Sequence, residues 1–187
     1  MDYKILSYLL FYPDDEYLAN LKQIDVKDGE INEFIQKIIR MDKYEAMSNY
    51  VGYFDNNPSL SLYLFDHIMG DSKERGQALV DLKEHYESHN FAVDSQYMPD
   101  YIPLFLEFLS VVDEATAKEL LAETYEVMNT LYLRHMQMDS IYAFVFKNLI
   151  HKMGKEVSQK EVKVLNEKEI DELWQEQEVV FGNSVKA

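Results

Sequence analysis

The segment that most limits how this chain can fold is residues 98–110. It reads Met-Pro-Asp-Tyr-Ile-Pro-Leu-Phe-Leu-Glu-Phe-Leu-Ser, so two prolines lead into a strongly apolar run. Proline fixes φ and lacks an N–H donor, and it is therefore tolerated only before a helix or in its first turn. A helix is predicted to begin near Asp100.

The apolar residues of this predicted helix fall on one broad face, at Leu104, Phe105, Phe108, Leu109 and Val112. Glu107 lies beside that face and not opposite it. A core helix with one acid at its rim explains the pattern. A helix that also presents part of a binding surface explains it as well, and the sequence leaves both interpretations open.

Helical periodicity extends over almost the whole chain, and no alternating stretch bounded by turn residues indicates a strand. The sequence therefore predicts an all-α fold, a single globular bundle of about nine helices. The predicted helices cover residues 3–12, 14–22, 28–40, 42–56, 59–70, 72–89, 100–112, 113–138 and 139–154. Asp42 with Glu45 resembles a capping box, and Asp71 or Ser72 is expected to cap the sixth helix.

The composition changes after Gly154. Tyr and Phe almost vanish beyond it, while Lys and Glu dominate. We therefore predict a helical domain over residues 1–154 and a flexible charged tail over residues 155–187. The alternative is that Trp174, Val180 and Phe181 dock onto an apolar groove of the body and compete there with a partner.

The charge of the chain narrows the class of partner. A formal net charge of −16 disfavours nucleic acid and anionic membranes, because Lys and Arg carry binding to both. A cationic peptide or protein fits better. The chain has no Cys, which excludes disulfides, thiolate metal sites and cysteine nucleophiles. The apolar run at residues 5–12 is too short to span a bilayer and lacks export features, so a cytoplasmic location is expected.

Motifs for catalysis are missing from the sequence. The six glycines are scattered, so no phosphate-binding loop is formed, and none of the five histidines follows a Glu at the Glu-x-x-His spacing. His85 and His89 have metal-ligand spacing but lie in a polar segment, which favours a solvated helix end. We expect neither an enzyme nor a metal site.

The most suggestive polar group is His67, Asp71 and Arg75, which the turn between the fifth and sixth helices should bring together. One interpretation is a network that stabilises the turn, with Asp71 paired to Arg75. The other is a part of a binding surface.

Three blocks of sequence resemble a known family. They are Leu-Phe-Asp-His, Gly-Asp-Ser and Arg-Gly-Gln-Ala within residues 64–78, the block at residues 98–109, and Trp174 followed by Val-Val-Phe-Gly. With Leu-Ser-Tyr-Leu-Leu-Phe-Tyr-Pro at residues 6–13, they resemble the NarJ-type delta-subunit family of respiratory nitrate reductase, whose members are assembly chaperones. The family usually has Leu where this chain has Met98, a substitution that conserves volume.

The resemblance implies a TorD-like helical fold and a role without catalysis. It implies a chaperone that binds the catalytic alpha subunit of nitrate reductase, including its amino-terminal segment. The chaperone would keep that subunit competent for molybdenum–pterin cofactor insertion before membrane attachment, and would bind no cofactor stably itself. A helical accessory subunit that stays in the reductase, or an unrelated peptide-binding module, are the alternatives.

The predicted partner-binding groove lies between the turn at residues 67–75 and the helix from Asp100. Tyr101, Leu104 and Phe105 are expected as apolar contacts, and Asp100 and Glu107 as acids that face a cation. Asp100 is equally well placed to act as an N-cap. The complete predicted set is His67, Asp71, Arg75, Gln77, Asp100, Tyr101, Pro103, Leu104, Phe105 and Glu107.

Overall fold

The computed structural model describes residues 3–24, 29–70, 72–94 and 96–174, and these ranges contain eleven α-helices and no β-strand. The predicted all-α class is confirmed. A π-helical turn at Val51–Asp55 continues α4, and a 3-10 turn at Pro58–Leu60 precedes α5. The helices are α1 (Tyr3–Tyr8), α2 (Asp15–Leu21), α3 (Gly29–Arg40), α4 (Lys43–Tyr50), α5 (Leu64–Ile68), α6 (Arg75–Ser88), α7 (Ile102–Val111), α8 (Glu114–Glu123), α9 (Tyr125–Gln137), α10 (Ala143–Lys152) and α11 (Glu167–Trp174).

Aspartate side chains begin three of these helices. The carboxylates of Asp14, Asp42 and Asp113 accept hydrogen bonds from backbone N–H groups two or three residues further on. These N–H groups have no partner inside their own helix, so each Asp satisfies donors that would otherwise be left unpaired. The predicted start of the second, fourth and eighth helices is confirmed.

The fifth and sixth helices begin later than predicted. Asn57 caps the 3-10 turn, and Ser59 is buried there with its hydroxyl donating to the Asn57 side chain (2.6 Å). α5 therefore starts only at Leu64. Ser72 accepts from the backbone N–H of Glu74 and forms a short turn, so α6 starts at Arg75 and the predicted Ser72 cap is wrong. Asp71 lies outside the described residues.

The predicted helix over residues 113–138 is divided at Thr124 into α8 and α9. The Thr124 hydroxyl donates to the backbone carbonyl of Leu121 (2.8 Å), a local bond that competes with helix hydrogen bonding. At the next boundary, Asp139 adopts φ +49° and lies in a turn, so α10 begins at Ala143 and not at residue 139 as predicted.

The core is built around α7. Its side chains Leu104, Phe105 and Phe108 are buried, and α1 packs against it through the Ser7 hydroxyl, which donates to the Pro103 carbonyl (2.7 Å). α9 and α10, which follow each other in the chain, also pack against each other. Within the described ranges, every helix is too short or too polar to cross a bilayer.

Part of the predicted tail lies against the body. Residues 155–166 run along α9 in extended conformation, and α11 follows them. Val180 and Phe181, together with the side chain of Trp174, lie outside what the structure describes. The boundary at residue 154 stays a prediction.

Candidate functional site

The two central sequence blocks meet at a short antiparallel bridge between Tyr63 and Tyr101. Next to it, the Leu64 backbone N–H donates to the Asp100 carbonyl (2.9 Å). The beginning of α5 is thereby fixed to the beginning of α7 through backbone bonds.

Asp100 lies at the centre of this junction and is fully buried. One carboxylate oxygen, Oδ2, accepts from the Phe65 backbone N–H (3.1 Å) and lies 3.8 Å from Arg75 Nη2. The N-cap position of α7 is Tyr101, so Asp100 does not cap its own helix but pairs an N–H in the first turn of α5. Burial raises the pKa of Asp100, while the Phe65 N–H and the Arg75 charge act to lower it.

A polar network extends from Asp100 toward the surface. Arg75 Nη2 forms an ion pair with Asp66 Oδ1 (2.7 Å), and the Ser61 hydroxyl donates to the other oxygen of Asp66. His67 Nε2 donates to the Ser61 carbonyl (2.8 Å). Burial lowers the pKa of His67 and favours its neutral form, while the hydrogen bond to Ser61 acts in the opposite direction. His67 and Arg75 are thus linked, through Asp66 and Ser61.

Tyr101 is only 8% exposed. Its ring stacks on Tyr97 (5.1 Å between centroids), and its hydroxyl lies 3.5 Å from that of Tyr50. Burial raises the pKa of Tyr101 to about 12. The ring that this stack presents to solvent is therefore that of Tyr97, which is 38% exposed.

Three of the predicted contacts belong to the core. Pro103 is buried, and Leu104 and Phe105 are only 5% and 4% exposed. In the described conformation these side chains support the junction from inside. Their direct contact with a partner stays a prediction.

The two remaining predicted residues lie apart from the network. Glu107 is half-buried, and burial raises its pKa while the charge of Lys4 on α1 acts to lower it. Gln77 is exposed on α6 and donates to Asp81 (2.7 Å).

A pocket of about 580 Å³ opens between α5 and α9 beside this network. From the α5 side it is lined by Asp66, His67 and Ile68, and from α9 by Glu126, Thr130 and Arg134. Ile68 is 57% exposed although it is apolar. The pocket therefore combines an apolar surface with the charged side chains of Asp66, Glu126 and Arg134.

Two residues of this pocket were missed by sequence reasoning. Asp66 stands next to His67 in the sequence block and carries the ion pair that had been expected of Asp71. Arg134 follows Val127 and Leu131 on one helix face, and its guanidinium donates to the Ser59 carbonyl (2.6 Å). A lone Arg on an apolar helix face was the signal that could have identified it.

The part of the chain that the structure describes contains no group of three or more His, Asp or Glu side chains placed to hold a metal ion. What it offers is a mixed polar and apolar pocket between α5 and α9, beside the junction of α5 with α7. The fold and the site thus define an all-helical protein with a mixed polar and apolar pocket on its surface.

The chain belongs to the nitrate reductase delta subunit family, whose model matches residues 21–144. It is 32% identical to the "Nitrate reductase molybdenum cofactor assembly chaperone NarJ" of Escherichia coli (strain K12), over 95% of this chain and 83% of that protein. It is 30% identical to the "Probable nitrate reductase molybdenum cofactor assembly chaperone NarJ" of Bacillus subtilis (strain 168), over 75% of this chain and 82% of that protein. The resemblance seen in the sequence is confirmed.

Proposed function

We propose that this protein is an assembly chaperone for nitrate reductase that assists insertion of the molybdenum cofactor. The support is the family membership and the similarity to named chaperones over nearly the whole chain. These relatives are named as chaperones and not as catalysts, which confirms the expectation that the chain is not an enzyme.

The client we propose is the catalytic alpha subunit, including its amino-terminal segment. The chaperone would hold it in the cytoplasm until the molybdenum–pterin cofactor, which is cargo for the client, has been inserted, and before membrane attachment. The observation that carries this proposal is the junction of two family sequence blocks beside one pocket. Asp66 and His67 of the first block line the pocket, and Asp100 of the second block accepts a hydrogen bond from the backbone of α5 behind them.

Binding of the client segment would combine electrostatic steering with burial of apolar surface. A net charge of −16 attracts a basic segment and speeds encounter. The carboxylates of Asp66 and Asp100 already interact with Arg75, and this interaction fixes the shape of the pocket wall. Other acidic groups must therefore pair with the basic side chains of the client. Apolar surface such as Ile68 then retains the bound segment, because burying it removes apolar area from water.

Isothermal titration calorimetry with a synthetic amino-terminal peptide of the alpha subunit tests this assignment. Ile68→Asp should weaken binding at least about tenfold, because it places a charge on the apolar rim of the pocket. Val111→Asp is the matched control, since Val111 is 62% exposed at the end of α7 and does not line the pocket. Equal affinity of the two variants would remove the pocket from the proposal.

The accessory-subunit alternative makes a different prediction. A chaperone leaves its client, so the purified active reductase should lack this chain, while apo-reductase from cells without the cofactor should retain it. A constant amount of the chain in the active enzyme would favour the accessory subunit.

A further inference from the structure

Residues 155–166, here called the strap, are held to α9 by side chains of that helix. The Tyr125 hydroxyl donates to the Glu156 carbonyl (3.0 Å), and Gln137 Nε2 donates to the Val162 carbonyl (3.1 Å). Between these two contacts lies Asn129, which is fully buried.

Asn129 binds the strap through both ends of its amide. Its Nδ2 donates to the Ser158 carbonyl (2.9 Å), and its Oδ1 accepts from the Ser158 backbone N–H (2.9 Å). This pair satisfies the backbone of one extended residue completely, as a neighbouring β-strand would do. Asn129 is therefore the principal latch of the strap.

Other contributions to the strap are weak. Among the described residues, the backbone groups of residues 156–165 form no backbone-to-backbone hydrogen bond. Val157 packs against the core, whereas most other strap side chains are exposed. A segment with few buried apolar contacts and solvent-exposed hydrogen bonds opens at a lower free energy than the core.

The strap also forms one wall of the pocket between α5 and α9. Lys163 and Leu165 line the pocket together with Val127. Lys160 Nζ lies 2.8 Å from Glu126, so the strap supplies the cation for an acid at the pocket edge.

We propose that the strap is a displaceable cover of the α9 face, latched by Asn129, and that a client segment occupies this face after the strap is released. The inference rests on the proposed chaperone function. Release of Lys160 leaves Glu126 to pair with a basic side chain of the client, and withdrawal of Leu165 opens the pocket to an apolar one. The partner that this surface fits is a polypeptide segment with basic and apolar residues.

The chain contains no Cys, so a single introduced thiol can report strap opening without any ligand. Val127→Cys places it in the pocket wall at a residue that is 6% exposed. Adding Asn129→Ala should speed labelling by a maleimide about tenfold, because the two latch bonds are lost. Adding Asn148→Ala is the matched control: Asn148 is also buried, but its amide donates within α10 to Phe144.

Tyr125→Phe provides a second variant that keeps the aromatic ring and loses only the bond to Glu156. It should speed labelling to a smaller extent, about threefold. Labelling rates that do not differ between the latch variants and the Asn148→Ala control would overturn the strap as a movable cover. Circular dichroism of each variant establishes that the comparison is made on folded protein.

Titration with the alpha-subunit peptide then tests gating. Affinity should rise about tenfold in Asn129→Ala, because less of the binding free energy is spent on opening the strap. Faster labelling with unchanged peptide affinity would overturn the gating role. A peptide that binds none of the proteins, wild type included, would instead contradict the proposed function, while the labelling experiment still decides whether the strap opens.

Discussion

The two walls of the pocket between α5 and α9 are held by different kinds of bonds. On the α5 side, backbone bonds join α5 to α7, and a buried carboxylate and an arginine lie behind them. On the strap side, side chains of one helix hold an extended segment whose own side chains are mostly exposed. The contrast shows how a single pocket can have one wall that is fixed by the core and another that opens at a small free energy.

The largest effect is expected from breaking the fixed wall. Asp100→Ala leaves the Phe65 N–H without its acceptor and removes the carboxylate nearest to Arg75 after Asp66, so the free energy of unfolding should fall by about 3 kcal/mol. Urea denaturation measures it.

Asp100→Asn is the matched variant, because the amide oxygen can still accept from Phe65. Its free energy of unfolding should fall by less than half of the loss expected for Asp100→Ala. A loss for Asp100→Ala no greater than that of Asp81→Ala, at an exposed acid on α6, would contradict the structural role assigned to Asp100.

An intermediate effect is expected from acid, through the core side of α9. His135 is fully buried and stacked on Phe146 (5.2 Å), and neither ring nitrogen has a hydrogen-bond partner among the described residues. Burial lowers the pKa of His135 from 6.5 to about 3. Between these values the unfolded chain binds the proton and the folded chain does not, so stability is lost as the pH falls.

The size of this loss is about 1.4 kcal/mol for each pH unit below 6.5, or about 2 kcal/mol between pH 7 and pH 5. In urea titrations, the free energy of unfolding of His135→Phe should fall by about 2 kcal/mol less than that of wild type between pH 7 and pH 5. An identical pH dependence in His135→Phe and wild type would show that this ring is not kept neutral by the core.

The smallest effect is expected from the displaceable wall. Gln137→Ala removes the exposed side chain that holds the Val162 carbonyl, and should change the free energy of unfolding by less than about 0.5 kcal/mol. Hydrogen exchange of the Ser158 amide, which donates to Asn129, should nevertheless become faster. Met136→Ala, an exposed neighbour that makes no strap hydrogen bond among the described contacts, is the control. A global loss comparable to that of Asp100→Ala would show that the two walls are equally firm.

Sequence reasoning predicted what depends on neighbouring residues. Helical periodicity gave the fold class, and local sequence signals located the starts of α2, α4 and α8. It failed where a contact between residues far apart in the sequence determines the local structure. Asp100 has the sequence context of an N-cap, but its carboxylate bonds to Phe65, thirty-five positions away in the chain.

The same limit applies to the candidate site. The sequence blocks located the junction at His67, Arg75 and Tyr101, because those residues stand in the matched segments. Periodicity shows that Leu104 and Phe105 share one helix face, but not whether that face meets solvent or α1. The strap could not be predicted, because the Asn129 latch joins a helix to a segment without periodicity of its own.

The packing of α1 on α7, fixed by the bond from Ser7 to Pro103, has a consequence for biosynthesis. During translation the first helix must wait, without its partner, until more than half of the chain has left the ribosome. At roughly 5 to 20 residues per second, that delay is on the order of 5 to 20 seconds. A protein proposed to hold an incomplete client therefore spends the first seconds of its own synthesis with the apolar residues of its first helix unpacked.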